Sequence, residues 1–86
     1  MYKQQTTVKC NSGLFNEQVT YFVQKANEYR CSIWLECGSK KMNAKSLLGI
    51  MSMCIETGAD VTISAEGPDE QAAVAVLCDM LQRDIF

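Results

Sequence analysis

The sequence predicts an α+β open-faced sandwich, one four-stranded antiparallel sheet covered on one side by three helices. Three observations support this. Segments whose apolar residues recur every second position alternate with segments of helical period, in the order β-α-β-β-α-β-α. The chain has 86 residues, 48% of them apolar and 21% charged, which suits one small core and argues against disorder. With one proline and five glycines it carries no linker, repeat or low-complexity tract, so residues 1–86 are expected to form a single domain. A ferredoxin-like arrangement with an extra C-terminal helix satisfies the same element order, and periodicity leaves that alternative open.

The elements follow in turn. Gln5–Cys10 alternates, with Thr6, Val8 and Cys10 on one side and Thr7 and Lys9 on the other, the pattern of a half-buried strand. Asn11-Ser12-Gly13 breaks it. Val19, Phe22, Val23 and Ala26 fall at i, i+3, i+4 and i+7, which predicts an amphipathic helix over about Asn16–Glu28. Asn16 is its candidate N-cap, and Glu17 suits the positive helix end. Arg30–Cys37 alternates again, with Ile33 and Leu35 inward and Trp34 and Glu36 outward. Gly38-Ser39 turns the chain into a short strand at Lys40–Asn43. Ser46 precedes a short helix beginning at Leu47 and ended near Thr57-Gly58. Asp60–Glu66 forms the last strand, with Val61, Ile63 and Ala65 on one face. Gly67-Pro68-Asp69-Glu70 opens the last helix, whose expected apolar stripe is Ala72, Ala73, Val76, Leu77, Met80 and Leu81.

Composition narrows the chemistry. Eight Lys and Arg against ten Asp and Glu leave a net charge of −2, which offers no electrostatic basis for binding nucleic acid or an anionic membrane. There is no histidine. The side chain most used as a general base, a metal ligand and a phosphorylated nitrogen nucleophile is therefore missing. Cys10, Cys31, Cys37, Cys54 and Cys78 are odd in number and include no C-x-x-C pair, so neither a disulfide framework nor a zinc site is expected. They are expected to be reduced and mostly buried, and no metal or cofactor is implied. Met1–Cys10 is too polar for a signal peptide, and the longest apolar stretch, Leu47–Ile55, is too short to span a membrane. The expected location is the cytoplasm.

Against this background one segment is familiar. Met42-Asn43-Ala44-Lys45-Ser46-Leu47-Leu48-Gly49-Ile50-Met51-Ser52 resembles the regulatory-serine helix of HPr, the phosphocarrier family of the bacterial sugar phosphotransferase system. Gly13-Leu14 matches the opening of the family's active-site motif, G-L-H-A-R-P-A. Glu56-Thr57-Gly58 and Gly67-Pro68-Asp69-Glu70-Gln71-Ala72 fit its later turn and its last-helix start. The resemblance spans nearly the whole chain and implies the HPr-like open-faced β-sandwich.

The active-site motif is broken. The family's histidine receives a phosphoryl group from enzyme I, and the arginine two positions later helps to hold it. Here Phe15 stands at the histidine position and Glu17 at the arginine position. Phe15 has no lone pair with which to attack phosphorus. Glu17 would repel a phosphate, by about 4 kcal/mol for unit charges 4 Å apart at an effective dielectric near 20. The resemblance therefore implies a protein without histidine-type carrier chemistry, similar to the family's histidine-lacking catabolite-repression relative. Cys10, Ser12 and Thr20 lie near the same loop, but the sequence offers no base or cation beside them to activate a substitute nucleophile.

Ser46 is the remaining residue for chemistry. A serine before an apolar-periodic run caps a helix, worth about 1 kcal/mol. By resemblance it is also the serine phosphorylated by an ATP-dependent kinase to create a corepressor of a transcription regulator. Lys40, Lys41 and Lys45 are cations close to it in sequence. Spacing alone leaves each of Leu47, Leu48 and Met51 a core residue by default. The resemblance implies that they form a docking surface for a protein partner, with Leu47 and Leu48 exposed, Phe15 as an added apolar anchor and Glu17 beside it. Trp34, expected on the outer sheet face or at an edge, is either a contact for a homodimer or a single solvent-facing aromatic. The functional expectation is a regulatory, protein-binding module. The alternatives are phosphate carried on a non-histidine residue, or the same fold serving an unrelated partner.

Overall fold

A computed structural model describes residues 1–9 and 17–83. Seven elements appear in the expected order: β1 Tyr2–Thr7, α1 Glu17–Ala26, β2 Ser32–Cys37, β3 Lys40–Asn43, α2 Leu47–Ser52, β4 Asp60–Glu66 and α3 Glu70–Gln82. The sheet order is β1-β4-β2-β3, antiparallel throughout. The last strand, not the first, joins the β2–β3 hairpin, which sets the sheet apart from the ferredoxin-like order. Tyr2 pairs with Ala65 and Thr7 with Asp60 along one side of β4, and Ser32 pairs with Glu66 along the other.

Alternation decides which face each strand buries. Ile33 and Leu35 of β2 and Val61, Ile63 and Ala65 of β4 point beneath the helices, with Thr6 and Val8 beside them. From above, Val19, Phe22, Val23 and Ala26 of α1, Ile50 of α2 and Leu77 and Leu81 of α3 close the core. Each large apolar side chain buried this fully contributes about 1.5–3 kcal/mol of transfer free energy. Trp34 lies on the outer face, half-buried, with Lys41 Nζ 5.4 Å from its ring centroid.

Several expectations are corrected. β1 begins at Tyr2 rather than Gln5, because its limits follow the partner residues of β4 and not its own polar alternation. α1 ends at Ala26, before Glu28. β2 begins at Ser32, since the Arg30 and Cys31 N–H groups donate instead to the Asp69 carboxylate, at 2.9 and 3.0 Å. α2 stops at Ser52, well before Thr57: Met53 closes it and Cys54 takes a left-handed φ of 50°. In α3 the buried positions include Val74 and Cys78, while Ala72 is exposed and Val76 half-buried. Of the cysteines, Cys31 and Cys78 are buried, Cys37 is half-buried and Cys54 is exposed. Cys10 and the candidate cap Asn16 lie outside the described residues.

The start of α3 is tied to a distant loop. Asp69 occupies the cap position, and its carbonyl accepts from the Ala73 N–H, but its side chain makes no bond to its own helix. Its carboxylate serves the loop before β2, and Glu70 reaches back instead to accept from the Gly67 N–H at 3.2 Å. Those N–H bonds, the one from Arg30 first, hold the Asp69 carboxyl below its usual 3.8. Burial, reinforced by Asp69, pushes the Cys31 thiol up to about 11. Gly67, with φ of 151°, lets the two segments close: a Cβ there would sit 2.6 Å from the Cys31 Cα.

Candidate functional site

α2 is a six-residue helix with only one fully buried side chain, Ile50. At about 100° per residue, Leu47, Met51 and Leu48 fall within one arc and Ile50 lies outside it. The structure follows that geometry. Leu47 is 41% exposed, Met51 46% and Leu48 81%. A short helix is thus nailed to the core by one residue and presents three apolar side chains outward. Its first turn is closed by Ser46, whose Oγ accepts from the Gly49 N–H at 3.2 Å. Ser46 itself is half-buried. Gly49 keeps that turn tight, since a Cβ there would meet the Ser46 Oγ at 3.2 Å.

The link between β3 and α2 is clamped to the end of α1. Asn27 Nδ2 donates to the Val23 carbonyl at 2.9 Å and to the Lys45 carbonyl at 3.2 Å. Lys45 Nζ donates to the Tyr29 carbonyl at 2.6 Å, in the loop that follows α1. Lys45 is therefore engaged with the loop after α1, and Lys41 lies 3.9 Å from the Glu36 carboxylate. Closeness in sequence to Ser46 does not gather these two cations around it.

Clamping α2 beside α1 creates a groove of about 480 Å³ lined by Glu17, Thr20, Tyr21, Gln24, Leu47 and Met51. The α1 residues in this wall are spaced i, i+3, i+4 and i+7, a second stripe beside the buried one. Tyr21, 49% exposed, went unmarked in the sequence because it lies off the apolar stripe; its aromatic ring on an otherwise polar face was the available signal. Of the residues singled out from sequence, the structure brings Glu17, Leu47 and Met51 together around this groove, with Leu48 on the same helix and Ser46 at its start. Phe15 lies outside the described residues. Glu17 is exposed and makes no ion pair among the described residues.

Among the described residues no three Cys, Asp or Glu side chains converge as a metal site, and no helix is long and apolar enough to cross a membrane. The groove wall offers hydroxyls, an amide, a carboxylate and apolar surface, a set suited to holding another protein.

Known proteins share the sequence pattern and the fold. A family model described as "PTS HPr component phosphorylation site" matches residues 2–83. The HPr-like protein Crh of Bacillus subtilis (strain 168) is 39% identical over 85 residues, covering 99% of this chain and 100% of Crh. The crystal structure of a phosphocarrier protein HPr from Bacillus anthracis str. Ames superposes with a TM-score of 0.93 at 37% identity, covering 94% of this chain and 96% of that one. A crystal structure of Bacillus subtilis Crh, described as a dimer with a swapping domain, gives a TM-score of 0.77 at 38% identity over 100% of this chain and 99% of its own. Sequence match, whole-length identity and shared fold converge: the chain belongs to the HPr family of the phosphotransferase system.

Proposed function

We propose that this chain is a regulatory member of the family that binds a protein partner and carries no phosphoryl group on a histidine. The observation that carries this is the outward turn of Leu47, Leu48 and Met51 on a helix anchored by Ile50 alone. Three apolar side chains on one short helix form the kind of patch that marks a protein contact. Glu17 and Tyr21 border it across the groove, and Phe15 adds an apolar anchor at the position of the missing nucleophile. Ser46, whose Oγ stands at the head of the same helix, is the modification site, and a kinase and a transcription regulator are the partners the resemblance implies.

Two incubations test this. With the family's ATP-dependent serine kinase, intact mass should rise by one phosphoryl group, a gain absent in Ser46→Ala and slowed in Leu48→Asp. With enzyme I and phosphoenolpyruvate, no phosphorylation is expected. Stable phosphorylation by enzyme I would overturn the proposal in favour of a carrier using another residue. Failure of the kinase to modify the chain would remove Ser46 from it.

The swapped dimer described for Bacillus subtilis Crh supports a second reading, that this chain also forms homodimers. β1 is an edge strand whose ladder pairs with β4 alone among the described residues, so it could be exchanged between two copies without changing that ladder. Sedimentation over a concentration series tests it, and a monomer throughout would refute it.

A further inference from the structure

The groove between α1 and α2 holds one formally charged residue, and its sign constrains the partner. Of the six lining residues only Glu17 is charged at neutral pH. Nearby cations are engaged elsewhere: Lys25 with Glu28 at 3.5 Å, and Lys45 with the Tyr29 carbonyl at 2.6 Å. The start of α1 contributes about half a positive charge, so the end of the groove keeps about half a negative one. The α1 wall from Glu17 to Gln24 is two helical turns of regularly spaced side chains, a shape complementary to a second helix laid alongside.

We propose that the groove takes a basic amphipathic helix of a protein partner. Apolar side chains at helical spacing seat against Tyr21, Leu47 and Met51, and a lysine or arginine flanking that stripe faces Glu17. The proposal rests on the docking face described above and adds the sign of the partner's charge. An acidic partner would meet a like charge at the groove's end and be disfavoured.

The test uses the full-length chain, isotope-labelled, and two stapled helical peptides sharing one leucine stripe and differing only in a flanking Lys or Glu. Both should shift the amides of Thr20, Tyr21, Gln24, Leu47 and Met51. The Lys peptide should bind about two- to fivefold more tightly at low salt, the range of an exposed ion pair. That preference should vanish in Glu17→Gln and at about 1 M salt. Equal affinity, or a preference surviving Glu17→Gln, overturns the charge assignment while leaving the docking face intact. Failure of both peptides to shift these amides overturns the docking face and the proposal together.

Discussion

Gly67→Ala should destabilise the protein by about 2–6 kcal/mol. The added Cβ would lie 2.6 Å from the Cys31 Cα and 2.7 Å from its Cβ. Neither contact can be relieved by a rotamer change, because both atoms are fixed by the backbone. Overpacking of a well-packed site costs about 1–3 kcal/mol. A φ of 151° lies in a region side chains rarely adopt, adding a further ~1–3 kcal/mol. A chain of this length has about 4–13 kcal/mol of total stability, so the loss is a large share of it. With a urea slope near 1 kcal/mol/M, the midpoint should fall by about 2 M or more. Gly38→Ala is the control: its φ is +62° and a Cβ there meets nothing within 4 Å, leaving only left-handed strain of about 1–2 kcal/mol. Equal losses in the two variants would refute the close approach as the reason for glycine. So would rescue of Gly67→Ala by Cys31→Ala, which leaves both clashing atoms in place.

Further outcomes follow from the same structure. Leu48→Gln should change stability by no more than about 0.5 kcal/mol while Ile50→Ala costs about 2–5, and similar urea midpoints for the two would contradict the orientation of α2. Cys54→Gly should stabilise by about 0.5–1 kcal/mol, raising the Tm by about 2–8 °C, because Cys54 holds a left-handed φ just past a helix end. Iodoacetamide at pH 8 should label Cys54 well ahead of Cys31 and Cys78, whose burial and thiols near 11 disfavour the thiolate; peptide mass mapping reads the order. On the acid side, the depressed Asp69 carboxyl contributes stability above pH 3.8 that is lost as pH falls through its lower folded value, so Asp69→Asn should flatten the acid limb of a Tm-against-pH curve. On the alkaline side, the unfolded thiols ionise near 9.0 while the buried pair hold their protons to about 11. Stability should therefore decline as pH climbs through that window, and less so in a Cys31→Ala variant.

Much of the fold was legible because period and turn chemistry agreed. β4 at Asp60–Glu66 and β3 at Lys40–Asn43 match their expected spans residue for residue. The α1 core stripe of Val19, Phe22, Val23 and Ala26 is buried as its spacing requires. What was illegible depended on partners far along the chain. Tyr2–Gln4 looks polar, and only pairing with Ile63–Ala65 extends β1 that far. Asp69 reads as a helix cap, and only the folded chain shows its oxygens turned toward Arg30 and Cys31. At the site, Leu47, Leu48 and Met51 were visible as an apolar cluster, but which faced outward depended on Ile50 taking the core. Glu17, Thr20, Tyr21 and Gln24 carry helical spacing too, yet a mixed polar stripe gives no hydrophobic signal, so the groove wall emerged only when α2 was placed against it.

The sheet order has a consequence for how the protein is made. β1 is synthesised before β4, and its ladder partners lie 53 positions later at Thr7–Asp60 (60 − 7) and 63 at Tyr2–Ala65 (65 − 2). At about 5–20 residues per second, the ribosome leaves β1 without its mate for roughly 3–12 s. During that interval α1 and the β2–β3 hairpin can form, but the sheet has a gap where β4 will go. The nascent chain then exposes an unpaired strand that a neighbouring chain on the same message could capture. Ribosome-stalled chains truncated before Asp60 should leave the β1 amides unprotected from exchange, and protection there would show that β1 finds another partner first.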